Sequence, residues 1–254
     1  MDSDEVYTNP TVKQVVFQVK FPNLFYIETK VGDFQMEIMD RFPESVLALQ
    51  KVIFAGEVKQ GDNFDNIPEN GVRKIWKFTS KLGTKLELQN DSLTLSSDHH
   101  VSYALGDPEK QFKDVICFAV DRLLKTVPIP VFTRIGLRYV NHCPIMSASN
   151  RSFYTFYDSC LPLRRFPLSQ ATDAETVVVT NLDSGFGLIY KEKLVLGEHE
   201  LILDIDAFHG QAKSSEYVGI ADNLHDIISK QFWKTAKDPM RAYMRRPKAG
   251  GKGL

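Results

Sequence analysis

The sequence predicts an α+β fold of two similar halves, each a short helix plus an antiparallel sheet covered by one long amphipathic helix. Three observations predict it. Apolar and polar residues alternate over several short stretches, the pattern of half-buried strands. Two longer stretches repeat apolar residues at helical spacing instead. Both halves of the chain also pass through these elements in one order: strand, helix, three or more antiparallel strands, long helix.

Residues 1–8 read as a lead-in, and Asn9-Pro10 opens a strand in which Val15, Phe17, Val19 and Phe21 alternate with Val16, Gln18 and Lys20. Residues 33–41 predict a short helix with Phe34, Ile38 and Met39 inward, ended near Pro43. Residues 44–55 are apolar enough for a second helical piece. Gly61, Asp62, Asn63, Asn66 and Pro68 make residues 56–71 a loop. Strands are expected at 74–80, with Trp76 and Phe78 on one face, at 84–89 and at 92–97, with turns at Leu82-Gly83 and Asn90-Asp91.

The clearest helix follows. Asp107 suits its N-cap, Pro108 its first position and Glu109 the positive end of its dipole. Phe112, Ile116, Ala119, Leu123 and Val127 form one apolar stripe, and Pro128 and Pro130 stop it. The second half predicts a strand at 132–141, a short helix at 151–158, strands at 176–180, 187–191, 193–196 and 199–207, and a long helix over about residues 215–236. Its stripe is Tyr217, Ile220, Ala221, Leu224, Ile227, Ile228 and Phe232, and Asp238-Pro239 ends or kinks it. Arg41-Phe42-Pro43 and Arg165-Phe166-Pro167 echo each other after the two short helices. The expected division is an N-terminal half, 9–128, a C-terminal half, 129–240, and a basic flexible tail, 241–254, the halves related by internal duplication.

A chain of 254 residues can bury a core without disulfides. The net charge of −1 excludes a global basic field for nucleic acid. Positive charge gathers only at the end, in Arg241, Arg245, Arg246, Lys248 and Lys252, so nucleic-acid contact is expected only through that tail. Three cysteines, Cys117, Cys143 and Cys160, suit a reducing compartment. No basic-then-apolar leader is read and no apolar stretch is long enough to span a bilayer, so a cytoplasmic protein without membrane association is expected.

The motifs of strong chemical meaning are absent: no phosphate loop, no nucleophile elbow, no His-Glu-x-x-His and no paired Cys-x-x-Cys. Gly185-Phe186-Gly187 lies between strands, where a hairpin turn is expected rather than a dinucleotide site. His99 and His100, read as strand neighbours, point to opposite faces and cannot share a metal; His142-Cys143 has the same geometry. Cys117 lies near a core stripe and reads as a small apolar residue. No metal and no cofactor is assigned. The best constellation spans two strands. Arg134 and Arg138 share the face opposite Ile135, Leu137 and Tyr139; Asp204 and Asp206 share the face opposite Leu203 and Ile205, with His209 following. Together they make weak candidates for an anion site (Arg134, Arg138) and for metal or acid–base work (Asp204, Asp206, His209). The alternative is pairing of Arg with Asp across a solvated sheet face.

Three segments carry a family resemblance: Asn9-Pro10 with its strand to Phe21, the strand Arg134-Ile-Gly-Leu-Arg-Tyr-Val-Asn141, and Leu203-Asp-Ile-Asp206 with the helix containing Leu224-His225 and Phe232. Together they resemble a sporadically distributed prokaryotic family of uncharacterised proteins of similar length, over roughly residues 7–240. The resemblance implies no activity, cofactor or functional residue, and its patchy distribution suggests mobile or defence-associated gene pairs. The expected function is a protein-interaction module with a protein partner. The alternatives are an enzyme acting on an anionic, phosphate-bearing small molecule, and nucleic-acid binding through the tail.

Overall fold

The computed structural model describes residues 5–51, 72–100, 102–105, 111–147 and 149–246. β1 (Val12–Lys20) leads to α1 (Ile27–Ile38), β2 (Glu44–Lys51), β3 (Val72–Thr79), β4 (Lys85–Gln89), β5 (Ser92–Ser97) and α2 (Phe112–Thr126). After the two-residue β6 (Val131–Phe132) come β7 (Arg134–Pro144), α3 (Asn150–Phe156), β8 (Asp173–Asn181), β9 (Phe186–Val195) and β10 (Glu200–His209). The two-residue β11 (Ala212–Lys213), α4 (Tyr217–Thr235) and α5 (Asp238–Arg245) follow. The fold is mixed α and β, as expected.

The expectation of a separate sheet in each half is corrected. Among the described residues nine strands form one antiparallel sheet in the order β2-β3-β4-β5-β1-β7-β10-β9-β8, and β6 and β11 form a small second one. The physical reason lies in β1. Its buried residues Val15, Phe17 and Val19 stand opposite Tyr139, Leu137 and Ile135 of β7, so pairing the two strands continues a single apolar face. One row across that face reads Phe78, Leu86, Leu95, Phe17, Leu137, Ala207, Leu188 in register, and every member is buried. Each large side chain so buried contributes about 1.5–3 kcal/mol of transfer free energy. The neighbouring row on the other face reads Lys77, Glu87, Thr94, Gln18, Gly136, Phe208, Gly187, Asn181, which is mostly polar and leaves that face in water.

The helices bury their stripes on the apolar side. α4 packs against β7 and β10, and α1 against α2. Phe112, Ile116, Ala119, Leu123 and Val127 are all buried, as are Tyr217, Ile220, Ala221, Leu224, Ile228 and Phe232. The backbone N–H of Val127 caps α2 by donating to the Leu123 carbonyl, just before Pro128 removes the next donor. Asp107, Pro108 and Glu109, and the expected loop at 56–71, lie outside the described residues. None of the described helices is long and apolar enough to cross a membrane.

Four further expectations change. Residues 44–51 form a strand, not a helix, because they pair in register with β3, Leu47 opposite Trp76 and Leu49 opposite Lys74. The first helix begins at Ile27 rather than 33, using Ile27, Phe34 and Ile38 as its buried stripe, and Met39 is 49 % exposed. The strands expected at 187–191 and 193–196 are one strand, because Glu192 between them turns inward with Tyr190 and Leu194. Finally, Arg241–Arg245 do not belong to a flexible tail: Asp238-Pro239 starts α5, with Pro in the first turn, and Met240 and Met244 are buried at i, i+4 spacing.

Candidate functional site

Alternation along β7 and β10 brings Arg134, Arg138, Asp204 and Asp206 to the open face of the sheet. There they satisfy one another. Arg138 Nε and an NH2 nitrogen donate to the two oxygens of Asp204, both at 2.6 Å, in a fork-to-fork pair. An Arg134 NH2 nitrogen donates to both oxygens of Asp206 at 3.1 Å, and the guanidinium sits 5.2 Å from the Phe208 ring centroid. Hydrogen bonding to Asp204 holds the Arg138 pKa above its ordinary value. Burial pushes the Asp206 carboxyl upward, against the pull of Arg134.

Two glycines make this layer possible. A Cβ on Gly136 would meet the Arg134 guanidinium at 2.3 Å, and a Cβ on Gly187 would meet the Phe208 ring at 2.2 Å. The bare backbone at both positions lets an arginine and an aromatic ring lie flat across the sheet. The result is a cross-strand ladder, each exposed pair of which contributes about 0–1 kcal/mol. The arginine charge is occupied by carboxylates, so it does not form an open anion site.

His209 does not join them. At an odd position of β10 it takes the opposite face from Asp204 and Asp206. Its ring nitrogens lie 3.1 and 3.2 Å from the carbonyl oxygens of Ser184 and Gly210, and the ring meets Phe186 edge-on at 4.7 Å. It packs under the β8–β9 hairpin, where Gly185 adopts φ +80°. The expected hairpin at Gly185-Phe186-Gly187 is therefore present.

His99 and His100 also differ from expectation. β5 ends at Ser97, so strand alternation does not govern them; their rings lie 4.3 Å apart. Both Nδ1 atoms reach Ser97 Oγ, at 3.0 and 2.6 Å. His142 pairs with Glu200 at 2.7 Å on the open face, while Cys143 points into the core, where burial pushes its thiol up to about 12. Burial also raises the half-buried Cys117 thiol. Among the described residues no three His, Cys, Asp or Glu side chains gather as a metal site.

Concave polar surface lies on the helix side instead. A cleft of about 310 Å³ is floored by Tyr139 and Asn141 of β7 and walled by α4 and Tyr103. α4 presents Asp222, His225, Ser229 and Trp233, spaced three, four and four, along one edge of its buried stripe. The His225 ring stacks on Tyr103, centroids 4.2 Å apart and planes 8° from parallel, with Tyr139 at 6.0 Å. The Tyr103 hydroxyl donates to Asp222 at 3.0 Å, and Lys113 of α2 donates to the other carboxylate oxygen at 2.9 Å. Burial lowers the His225 pKa and raises those of Tyr103 and Tyr139, so a neutral imidazole faces neutral phenols. At the far end Tyr7 packs on Trp233, whose ring also carries the Arg241 guanidinium at 4.3 Å, and Arg245 pairs with Glu5. This cleft is large enough for a small flat molecule. No role was expected for Tyr103, Asp222, Ser229 or Trp233, and Tyr139, His225, Arg241 and Arg245 were not expected to come together; the 222–225–229–233 spacing beside the stripe was the signal available.

A second polar cluster is centred on a buried carboxyl group. Glu192, 0 % exposed, accepts the hydroxyl hydrogens of Ser159 and Tyr190, and the Cys160 backbone N–H lies 3.1 Å from both its oxygens. Neither an arginine nor a lysine is among its partners. Its role is to hold the segment after α3 against the sheet.

No protein-family model matches the chain, and no curated protein matches it.

Proposed function

We propose that the chain is a protein-interaction module whose contact surface is the free edge of β8. The observation that carries this reading is β8 itself: a nine-residue strand that, among the described residues, is paired on one side only, with Val177, Val178 and Val179 exposed at 51, 42 and 67 %. An edge of this length with apolar side chains and no lysine or proline is a template for an added strand. The candidate anion-binding residues Arg134 and Arg138 and the candidate catalytic residues Asp204 and Asp206 support the same reading, since they are paired with one another, and the third catalytic candidate, His209, lies on the other face.

We also infer that the two halves arose by internal duplication. Outward from β1 the order is β5-β4-β3, and outward from β7 it is β10-β9-β8, each the reverse of chain order. A long helix follows β5 and another follows β10. On this reading β8 is the counterpart of β3, and β3 is covered by β2. Among the described residues the second half has no strand in that position, so β8 lacks the cover that its counterpart has. The free cysteines support a cytoplasmic location, and the segment resemblance supports a prokaryotic protein encoded beside its partner. Arg241 and Arg245 are engaged by Trp233 and Glu5, which weakens the nucleic-acid alternative.

The test is comparative capture. Full-length wild type and Val178→Lys are used as baits under identical conditions. A chain retained by the wild type and lost by the variant is expected; identical retention by both would remove β8 as the contact surface.

The stacked Tyr103–His225 pair favours a second reading, a small-molecule site in the cleft. Adenine, a flat heterocyclic probe, is expected to shift the His225 ring resonances on titration; unchanged resonances at millimolar probe would end that reading.

A further inference from the structure

We infer that the strand covering β8 is β8 of a second copy of this chain; the inference rests on the reading of β8 as the contact edge. The strand carries its own complement. Residues 176–180 are Thr-Val-Val-Val-Thr, the same in either direction. Antiparallel pairing about a two-fold axis through Val178 sets Val177 opposite Val179 of the second copy and Thr176 opposite its Thr180. Glu175 then meets Asn181 rather than another carboxylate, so no like charges face each other over the 175–181 overlap; Asp173 falls opposite Asp183 of the second copy, which lies beyond the end of its strand. Opposed residues share a face, so Val177 and Val179 of both copies make a four-valine patch on the open side, and the two Val178 side chains meet on the helix side.

Neighbouring registers are worse. Centring on Val177 sets Glu175 opposite Val179 and Thr176 opposite Val178; centring on Val179 sets Val177 opposite Asn181. Only the Val178 axis sets valine against valine and threonine against threonine over residues 176–180. Glu175 is already tied to Lys191 of β9 at 2.9 Å, which keeps its charge directed along the sheet rather than at an incoming strand. The other edge, β2, has no such self-complement: about Ala48, Val46 would face Gln50 and Ser45 would face Lys51. Pairing β2 with β8 would be head-to-tail and open-ended, whereas β8 with β8 closes as a symmetric dimer. Two nine-stranded sheets would then become one continuous sheet.

Sedimentation of the full-length protein across the micromolar range tests this. Wild type is expected at twice the chain mass. Val178→Lys, which sets two ammonium groups together on the axis, is expected at the chain mass with an unchanged circular dichroism spectrum. Val178→Cys, in a background where the exposed Cys160 is Ser, is expected to form an interchain disulfide with itself under mild oxidation, because the axis brings the two positions within disulfide reach. Thr176→Cys in the same background is expected not to. Wild type at the chain mass throughout would overturn the second copy while leaving β8 available to another partner through the capture experiment. A Val178→Lys protein that stays at twice the mass would place the contact between copies elsewhere and overturn the inference, while the capture experiment alone decides whether β8 is the edge for another partner. Equal cross-linking at 176 and 178 would overturn the register and with it the self-complementary pairing.

Discussion

Replacing Glu192 by alanine is expected to destabilise the protein by about 4 kcal/mol, measured by urea denaturation. The side chain is wholly buried on the apolar face of β9, yet it is a carboxylate. What makes it tolerable there is its set of donors: the Ser159 hydroxyl, the Cys160 backbone N–H and the Tyr190 hydroxyl, the last of which also lies 2.7 Å from the Thr235 hydroxyl of α4. Alanine leaves the Ser159 hydroxyl and the Cys160 N–H without their acceptor at a part-buried position, each costing about 1–3 kcal/mol, while the Tyr190 hydroxyl keeps only Thr235. Glutamine keeps the shape but turns an NH2 group toward at least one of those donors, so it is expected to recover only part of the loss. If alanine cost no more than an exposed substitution, the cluster would not be holding the 157–161 segment to the sheet.

Acid is expected to weaken the protein by roughly 3 kcal/mol through His100 as pH falls from about 6.5 to about 4. The imidazole is 4 % exposed, with Ser97 Oγ 2.6 Å from Nδ1, the Phe112 ring at 5.4 Å and no partner for Nε2 among the described residues. Burial, reinforced by the neighbouring His99, pushes its pKa from 6.5 down to about 4. The unfolded chain takes up the proton near the ordinary value while the folded chain does not. Stability contributed by the neutral form is therefore complete above about pH 6.5 and is lost as pH falls from there toward about 4. At about 1.4 kcal/mol per pH unit, the loss amounts to roughly 3 kcal/mol. His225, whose pKa burial also lowers, adds in the same direction. His100→Phe is expected to lose that much less than wild type between about pH 7 and about pH 4 in urea denaturation. Parallel losses in the two proteins would exclude His100 as the source.

Strands were legible wherever one face is buried. β1, β4 and β5 alternate strictly because each packs one side on the core, and period two is then forced on the sequence. β2 was misread for the complementary reason. It is an edge strand with Val46, Leu47 and Leu49 all exposed, so no buried face disciplines its pattern and a helix fits its composition equally well. α5 was hidden by Pro239, which marks an end and a beginning with the same residue. Of the candidate site, the shared face of Arg134, Arg138, Asp204 and Asp206 was visible from alternation. Their mutual pairing was not, because it depends on which strand lies beside β7 and on Gly136 giving Arg134 room to reach Asp206.

By itself the sequence determined the class of fold, the two long helices and the faces of those strands that bury one side, because these follow from local periodicity and from where apolar side chains recur. Only the tertiary structure decided that the strands close into one sheet through β1 and β7, that Tyr103 is carried onto His225 to form the cleft, and that β8 is left at the border. Those three facts rest on contacts between residues far apart in the chain, and a periodic pattern states which face is buried without stating against what.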